Sequence, residues 1–126
     1  MSSAFRTAVE SGDLPAVVAT LAADVEFRSP AVHRPYQGRQ AAAQVLGAVL
    51  RVFEDFRYTA GVRDGDLEVL MFEARVGTRE IQGADFLRYG PDGLITELTV
   101  MIRPLSGLTA VVEAVGALLS GAAPTP

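Results

Sequence analysis

The stretch from Leu67 to Ile102, LEVLMFEARV-GT-REIQGADFLRY-GPDG-LITELTVMI, decides the fold. Its apolar residues alternate with polar ones at the two-residue period of half-buried strands, and two glycine-bearing turns interrupt it. The turn Gly77-Thr78 joins a strand Leu67–Val76 to a second strand that starts at Arg79; Gly90-Pro91-Asp92-Gly93 joins the second to a third ending at Ile102. Pairing across the short turn sets Leu70 opposite Asp85, Phe72 opposite Gly83 and Ala74 opposite Ile81. Pairing across the longer turn sets Asp85 opposite Leu98 and Gly83 opposite Val100. One face then gathers Leu70, Phe72, Ala74, Ile81 and Gly83. Leu87, Leu98, Val100 and Ile102 complete it, with Asp85 as the acid in its middle. A carboxyl so placed loses hydration, which favours its neutral form and raises its pKa. The opposite face carries Met71, Ala84, Phe86, Thr99 and Met101 among cross-strand charges, Arg75 facing Glu80 and Glu80 facing Arg103. Such a mixture suits a solvated face or a homodimer contact.

Upstream, Ser2 or Ser3 caps a short helix Ala4–Ser11 that Gly12 closes, and Asp13 caps the next, with Pro15 in its first turn. Val25 and Phe27 alternate with Glu26 and Arg28 as a short strand. Pro30 to Gly38 reads as a loop and holds the one histidine, His33. A helix from about Arg39 to Phe53 follows, with Val45, Leu46, Val49, Leu50 and Phe53 as its apolar stripe. Phe56–Val62 reads as a strand and Arg63-Asp64-Gly65-Asp66 as a turn. The last helix, Ser106–Ser120, has Glu113 as its one charged residue. Its apolar arc is wider than one packed stripe needs, which suits packing on its own domain, a lid over a pocket, or a helix shared with a second subunit. Residues 1–120 read as one domain and 121–126 as a flexible tail.

A chain of 126 residues suffices for one core but not two, and 49% hydrophobic against 21% charged residues is a globular balance. The net charge of −4 offers no basic stripe to neutralise phosphates, which argues against nucleic acid. Zero cysteines exclude disulfides and thiolate metal sites, and one histidine excludes an imidazole-built metal site. No apolar run has the length of a bilayer span, so no membrane partner is expected. The expectation is a cytoplasmic protein with no cofactor and no metal.

The order of helices, loop and hairpins resembles the NTF2-like superfamily, which includes the ketosteroid isomerases and the SnoaL-like polyketide cyclases. The words that carry the resemblance are Ser11-Gly12-Asp13-Leu14, Leu21-Ala22-Ala23-Asp24-Val25, Tyr36-Gln37-Gly38-Arg39 and Asp85-Phe86-Leu87-Arg88-Tyr89, the last followed by Asp92-Gly93-Leu94-Ile95. The resemblance spans roughly residues 4 to 103. It implies an α+β fold: a cone-shaped barrel with helices packed on a strongly curved, mostly antiparallel sheet, here with an added C-terminal helix, around a deep apolar pocket.

By the same resemblance, an isomerase needs a carboxylate base, a tyrosine and a protonated aspartic acid. The base position falls on Ser29, the tyrosine on Phe5 and the protonated acid on Asp85. An unactivated serine cannot abstract a carbon-bound proton near neutral pH, so the standard isomerase route is not expected. Epoxide hydrolases of the superfamily need two acids and an arginine, and Asp85 is the one inward acid this reading finds. The expected site is therefore Asp85 as acid or hydrogen-bond donor, with His33 either a replacement base or a solvent-exposed loop residue. Tyr58 is a candidate pocket hydroxyl whose facing the pattern leaves open. Two readings follow: an isomerase or cyclase moving a proton on an apolar carbonyl compound, or a non-catalytic module that binds a small apolar ligand. A dimerising accessory domain is the third.

Overall fold

The computed structural model describes residues 3–121. Helix α1 (Ala4–Ser11) begins where the Ser3 side chain accepts a hydrogen bond from the Arg6 amide at 3.3 Å. It ends at Gly12, whose left-handed backbone (φ 70°) lets its amide close the last turn. Helix α2 (Leu14–Ala19) starts on Asp13, which accepts from the Ala16 amide at 3.1 Å. Strand β1 (Leu21–Arg28), the two-residue β2 (Tyr36–Gln37) and helix α3 (Arg39–Val52) come next. Strands β3 (Glu54–Asp64), β4 (Leu67–Val76), β5 (Arg79–Tyr89) and β6 (Ile95–Arg103) lead into helix α4 (Leu105–Gly121). Beyond Gly121, the tail expected to be flexible lies outside the described residues, as does Ser2.

The six strands form one sheet in the order β2-β1-β6-β5-β4-β3. Every neighbouring pair is antiparallel except β1 with β6, and the sheet does not close on itself. The loop read from Pro30 to Gly38 thus contains a short edge strand, and β3 extends two residues further at each end than its alternation suggested. No helix among the described residues is long and apolar enough to cross a membrane.

Pairing across Gly77-Thr78 is as expected: Leu70 faces Asp85, Phe72 faces Gly83 and Ala74 faces Ile81. Across the second hairpin the register is displaced by two. Asp85 faces Val100, Gly83 faces Ile102 and Leu87 faces Leu98. Two features add one residue each. Leu94 stays in the turn, where its carbonyl accepts from the Gly90 amide at 2.8 Å, and Thr96 is the extra residue of a bulge between Arg88 and Tyr89. A shift of two keeps every side chain on its face, so the inner face is preserved while individual partners change. Arg103 accordingly donates to Gln82 at 2.6 Å, not to Glu80. Arg75 does face Glu80, but its guanidinium bonds Asp55 at 2.8 Å and Glu54 at 3.2 Å on the far neighbour β3.

The core lies between the inner sheet face and the helices. Leu21, Val25, Leu70, Leu87, Ile95 and Leu98 are fully buried there, joined by Phe5 and Val17 of the first two helices and Ala42 of α3. The α3 stripe divides. Val45 and Leu46 are buried, whereas Val49 and Leu50, with Phe53 just past the helix end, are half-buried; all five border a cavity.

Candidate active site

Between the inner sheet face and helices α1, α3 and α4 lies a cavity of about 230 Å³. Its floor is aromatic. Phe53 and Phe56 stack in parallel at 5.8 Å, and the Tyr58 ring meets Phe56 edge-on at 4.9 Å between centroids. Alternation along β3 turns Phe56 and Tyr58 inward while Arg57 and Thr59 face out, and Tyr58 sits opposite Phe72 in the register. A bulge immediately after Tyr58 lets the rest of the strand continue in a new phase.

Tyr58 and Asp85 meet in this wall. The Tyr58 hydroxyl donates to Asp85 Oδ2 at 2.8 Å, in a buried contact 27 residues apart in sequence. Asp85 is 8% exposed. Its Oδ1 takes part in no hydrogen bond among the described residues, and no fully buried side-chain oxygen or nitrogen there lacks a partner. Oδ1 is therefore open to the cavity that Asp85 lines. Burial pushes the Asp85 carboxyl up to about 7, and the hydrogen bond from Tyr58, which favours the anion, keeps it from rising further. Burial, the Asp85 charge and the shared hydrogen bond hold the Tyr58 hydroxyl far above the usual phenol range, so it stays a neutral donor. The Arg6 guanidinium lies over the Tyr58 ring, 5.5 Å from its centroid.

Of the residues expected at the pocket, Phe5, Ser29, Tyr58 and Phe72 line the cavity with Asp85, as do Leu98, Val100 and Ile102. Leu70, Ile81 and Leu87 share that face but are buried in the core and do not reach the cavity wall. Gly83 is hidden by Phe72: a β-carbon at Gly83 would come within 2.2 Å of Phe72 Cζ. Neighbouring Pro30, Ala31 and Val32 line the cavity, but His33 is exposed on the loop and off the wall. In this arrangement no imidazole stands beside Asp85. Ser29 is on the wall, and its hydroxyl accepts from the Ala31 amide at 3.2 Å with no activating base bonded to it.

A second acid corrects the expectation that Asp85 stands alone on the inner face. Glu68, at the far end of β4, is equally buried at 8% and accepts from the Tyr89 hydroxyl at 2.6 Å. The alternation that places Leu70 inward places Glu68 inward too, so its position was legible. The helical wall was not: Val9, Val45, Val49, Val111 and Val115 line the cavity from α1, α3 and α4. A helix presents the same apolar stripe whether it meets side chains or empty space.

Among the described residues Asp85 is the one charged side chain on the cavity wall, and Ser29, Tyr36 and Tyr58 are its other polar members. Such a site suits a neutral, largely apolar ligand with one hydrogen-bonding group. Among the described residues no cluster of His, Cys, Asp or Glu is placed to hold a metal ion.

An α+β fold whose open, mixed sheet and packed helices enclose an apolar cavity with one buried acid defines a class of small pocket proteins. Residues 3–98 match the SnoaL-like domain, and the chain belongs to that family, within the NTF2-like superfamily. It is similar to a steroid delta-isomerase from Pseudomonas aeruginosa, with 42% identity and a TM-score of 0.88 over 92% of this chain and 86% of that one. A protein conserved in bacteria with a cystatin-like fold, from Silicibacter pomeroyi, shares 33% identity at a TM-score of 0.88, covering 92% and 82%. A SnoaL-like protein from Burkholderia thailandensis shares the fold at 15% identity and a TM-score of 0.67, covering 80% and 89%. No curated protein matches the chain.

Proposed function

We propose that this chain is an isomerase- or cyclase-type enzyme that moves a proton, without a cofactor, on a neutral apolar carbonyl compound. The observation that carries the reading is the Asp85 carboxyl, with Oδ2 held by Tyr58 and Oδ1 free in an apolar cavity. With a pKa raised to about 7, both protonation states are populated near neutral pH. In the neutral form the Oδ1 proton is donated to the ligand's carbonyl oxygen. That bond strengthens as a solvent water in the cavity takes the carbon-bound proton and negative charge grows on the oxygen; the same water returns a proton to the carbon skeleton. Tyr58 fixes the carboxyl's orientation throughout. The name of the Pseudomonas aeruginosa relative supports chemistry of this kind.

The test is deuterium uptake from D₂O into a cyclic enone, followed by NMR. Exchange that depends on the wild-type protein and is lost in Asp85→Asn supports the reading; exchange equal in both removes it. A second reading has its own observation, since no base accompanies Asp85 on the wall. In that case the cavity binds the same class of ligand without turning it over, and the enone would bind with no exchange.

We also propose a homodimer through the outer sheet face. Met71 and Met101 flank Ala84 there and are 52% and 58% exposed. Sedimentation at micromolar concentration checks it: a dimer that Met71→Arg dissociates is expected, and a wild-type monomer ends the idea. With no cysteine in the chain, we place the protein in the cytoplasm.

A further inference from the structure

The family match stops at residue 98, but the cavity wall continues past it. Helix α4 adds two adjoining stripes at helical spacing. The inner stripe is Val111, which is buried, and Val115, which is half-buried. The outer stripe is Val112, Gly116 and Leu119, which line the cavity yet are all exposed, the two side chains at 39% each. Val32, on the loop before β2, also lines the wall and is 47% exposed. Apolar residues that both line a cavity and meet solvent mark its mouth. The opening is therefore marked by the outer stripe of α4 and the loop that carries Val32, while the Tyr58–Asp85 pair sits at the buried end.

Glycine at 116 has no packing reason. At Gly107 in the same helix, a β-carbon would come within 2.5 Å of Ile81 Cγ2, so that glycine is required by contact with β5. At Gly116 a β-carbon would meet nothing within 4 Å. Glycine inside a helix is less stable than alanine, and here no contact accounts for it. What its missing side chain leaves clear is the mouth. The cavity, at about 230 Å³, is also smaller than the roughly 300–1,000 Å³ of ordinary ligand pockets. A ligand larger than this volume must then extend past the rim.

We propose that Gly116 is a size-selecting position: its missing side chain leaves the mouth open for the part of a ligand that does not fit inside the cavity. The inference rests on the cavity being the ligand site, but not on any proton transfer there. A leucine at 116 narrows the mouth and excludes long ligands while short ones still fit inside. The discrimination comes from a steric block, not from a lost attraction.

The experiment uses two neutral probes: aminoanthracene, with three fused rings, followed by its fluorescence, and cyclohexenone, with one ring, followed by NMR shifts. Gly116→Leu is expected to weaken aminoanthracene binding about tenfold or more and cyclohexenone binding by less than about twofold. Gly116→Ala should change either affinity little. Both substitutions place a better helix former in α4, so neither should lower the melting temperature; if the leucine variant does, Gly116→Val repeats the comparison. Equal weakening of both probes overturns the proposal, as does an unchanged affinity for aminoanthracene or a wild-type protein that does not bind it. The size comparison is read as binding by the position-116 variants alone, and the proton-transfer reading as deuterium exchange in Asp85→Asn. Loss of size selection and loss of the proton-transfer reading therefore show up in different variants and different readouts.

Discussion

The inner sheet face carries two tyrosine–carboxyl pairs, and they differ in what surrounds them. Tyr58 donates to Asp85 at 2.8 Å, and Tyr89 donates to Glu68 at 2.6 Å. Each acid is 8% exposed. In the first pair one carboxyl oxygen opens into an apolar cavity. The second pair lies at the other end of the sheet, off that cavity, with the Arg63 guanidinium 4.2 Å above the Tyr89 ring. Tyr89 rises to about 12, through burial and its bond to Glu68, with Ser3 and Arg63 pulling it back; Tyr58 is displaced much further. A buried acid with a tyrosine partner is thus not in itself a site. An arginine lies over the tyrosine ring in both pairs, and each acid has one oxygen outside the pair's hydrogen bond; what sets Asp85 apart is the apolar cavity in front of it.

The largest contrast between the pairs is expected in turnover. Asp85→Asn should lower deuterium exchange by about a hundredfold or more, the usual contribution of a positioned acid or base. Glu68→Gln, which can still accept from Tyr89, should leave exchange near wild type. Equal losses in both variants would mean that the pairs matter only for folding.

Stability gives the next contrast, and its sign follows from the direction of the Asp85 shift. Folded Asp85 holds its proton up to about pH 7, whereas its ordinary value is 3.8. Between those values the folded state binds the extra proton, so stability falls as pH rises and levels off above 7. At ~1.36 kcal/mol per pH unit the loss is on the order of 4 kcal/mol. Asp85→Asn should remove this slope and unfold later in urea at pH 8 than the wild type does, although it is inactive. A wild-type urea midpoint that does not change between pH 4 and 8 would contradict the assigned burial.

The smallest effect separates the two tyrosines. The Tyr58 hydrogen bond lowers the Asp85 pKa, so Tyr58→Phe should move it above about 7 in a carbon-13 NMR titration. Tyr89→Phe should not move it. Tyr58→Phe should also destabilise the fold by about 1–3 kcal/mol, as expected for a buried hydrogen bond to an ionisable group.

Much of this arrangement is written locally. Alternation from Leu67 to Ile102 names the inner face, and Ser3, Gly12 and Asp13 mark the first helices where the structure has them. The second hairpin register is less legible, because the bulge at Thr96 follows from how the turn closes and not from any residue preference. Tyr58 was recoverable from the alternation of Phe56 and Tyr58 with Arg57 and Thr59, but the bulge after it obscured the phase. His33 has the chemistry of a base, but a short loop rich in proline gives no signal of where its side chain lies. The mouth of the cavity was the least legible part. It depends on three separate segments converging, and each reads on its own as an ordinary apolar stripe.

The final helix has a consequence for how this pocket can change over time. Its cavity-facing residues follow one another on a single element, which the chain enters from β6 through Pro104 and which packs closely on β5 at Gly107. The groups proposed to handle the proton lie on β3 and β5, inside the sheet. Chemistry and choice of ligand therefore occupy separable lengths of polypeptide. Exchanging that one segment between relatives would retarget the pocket and leave the reacting pair where it stands.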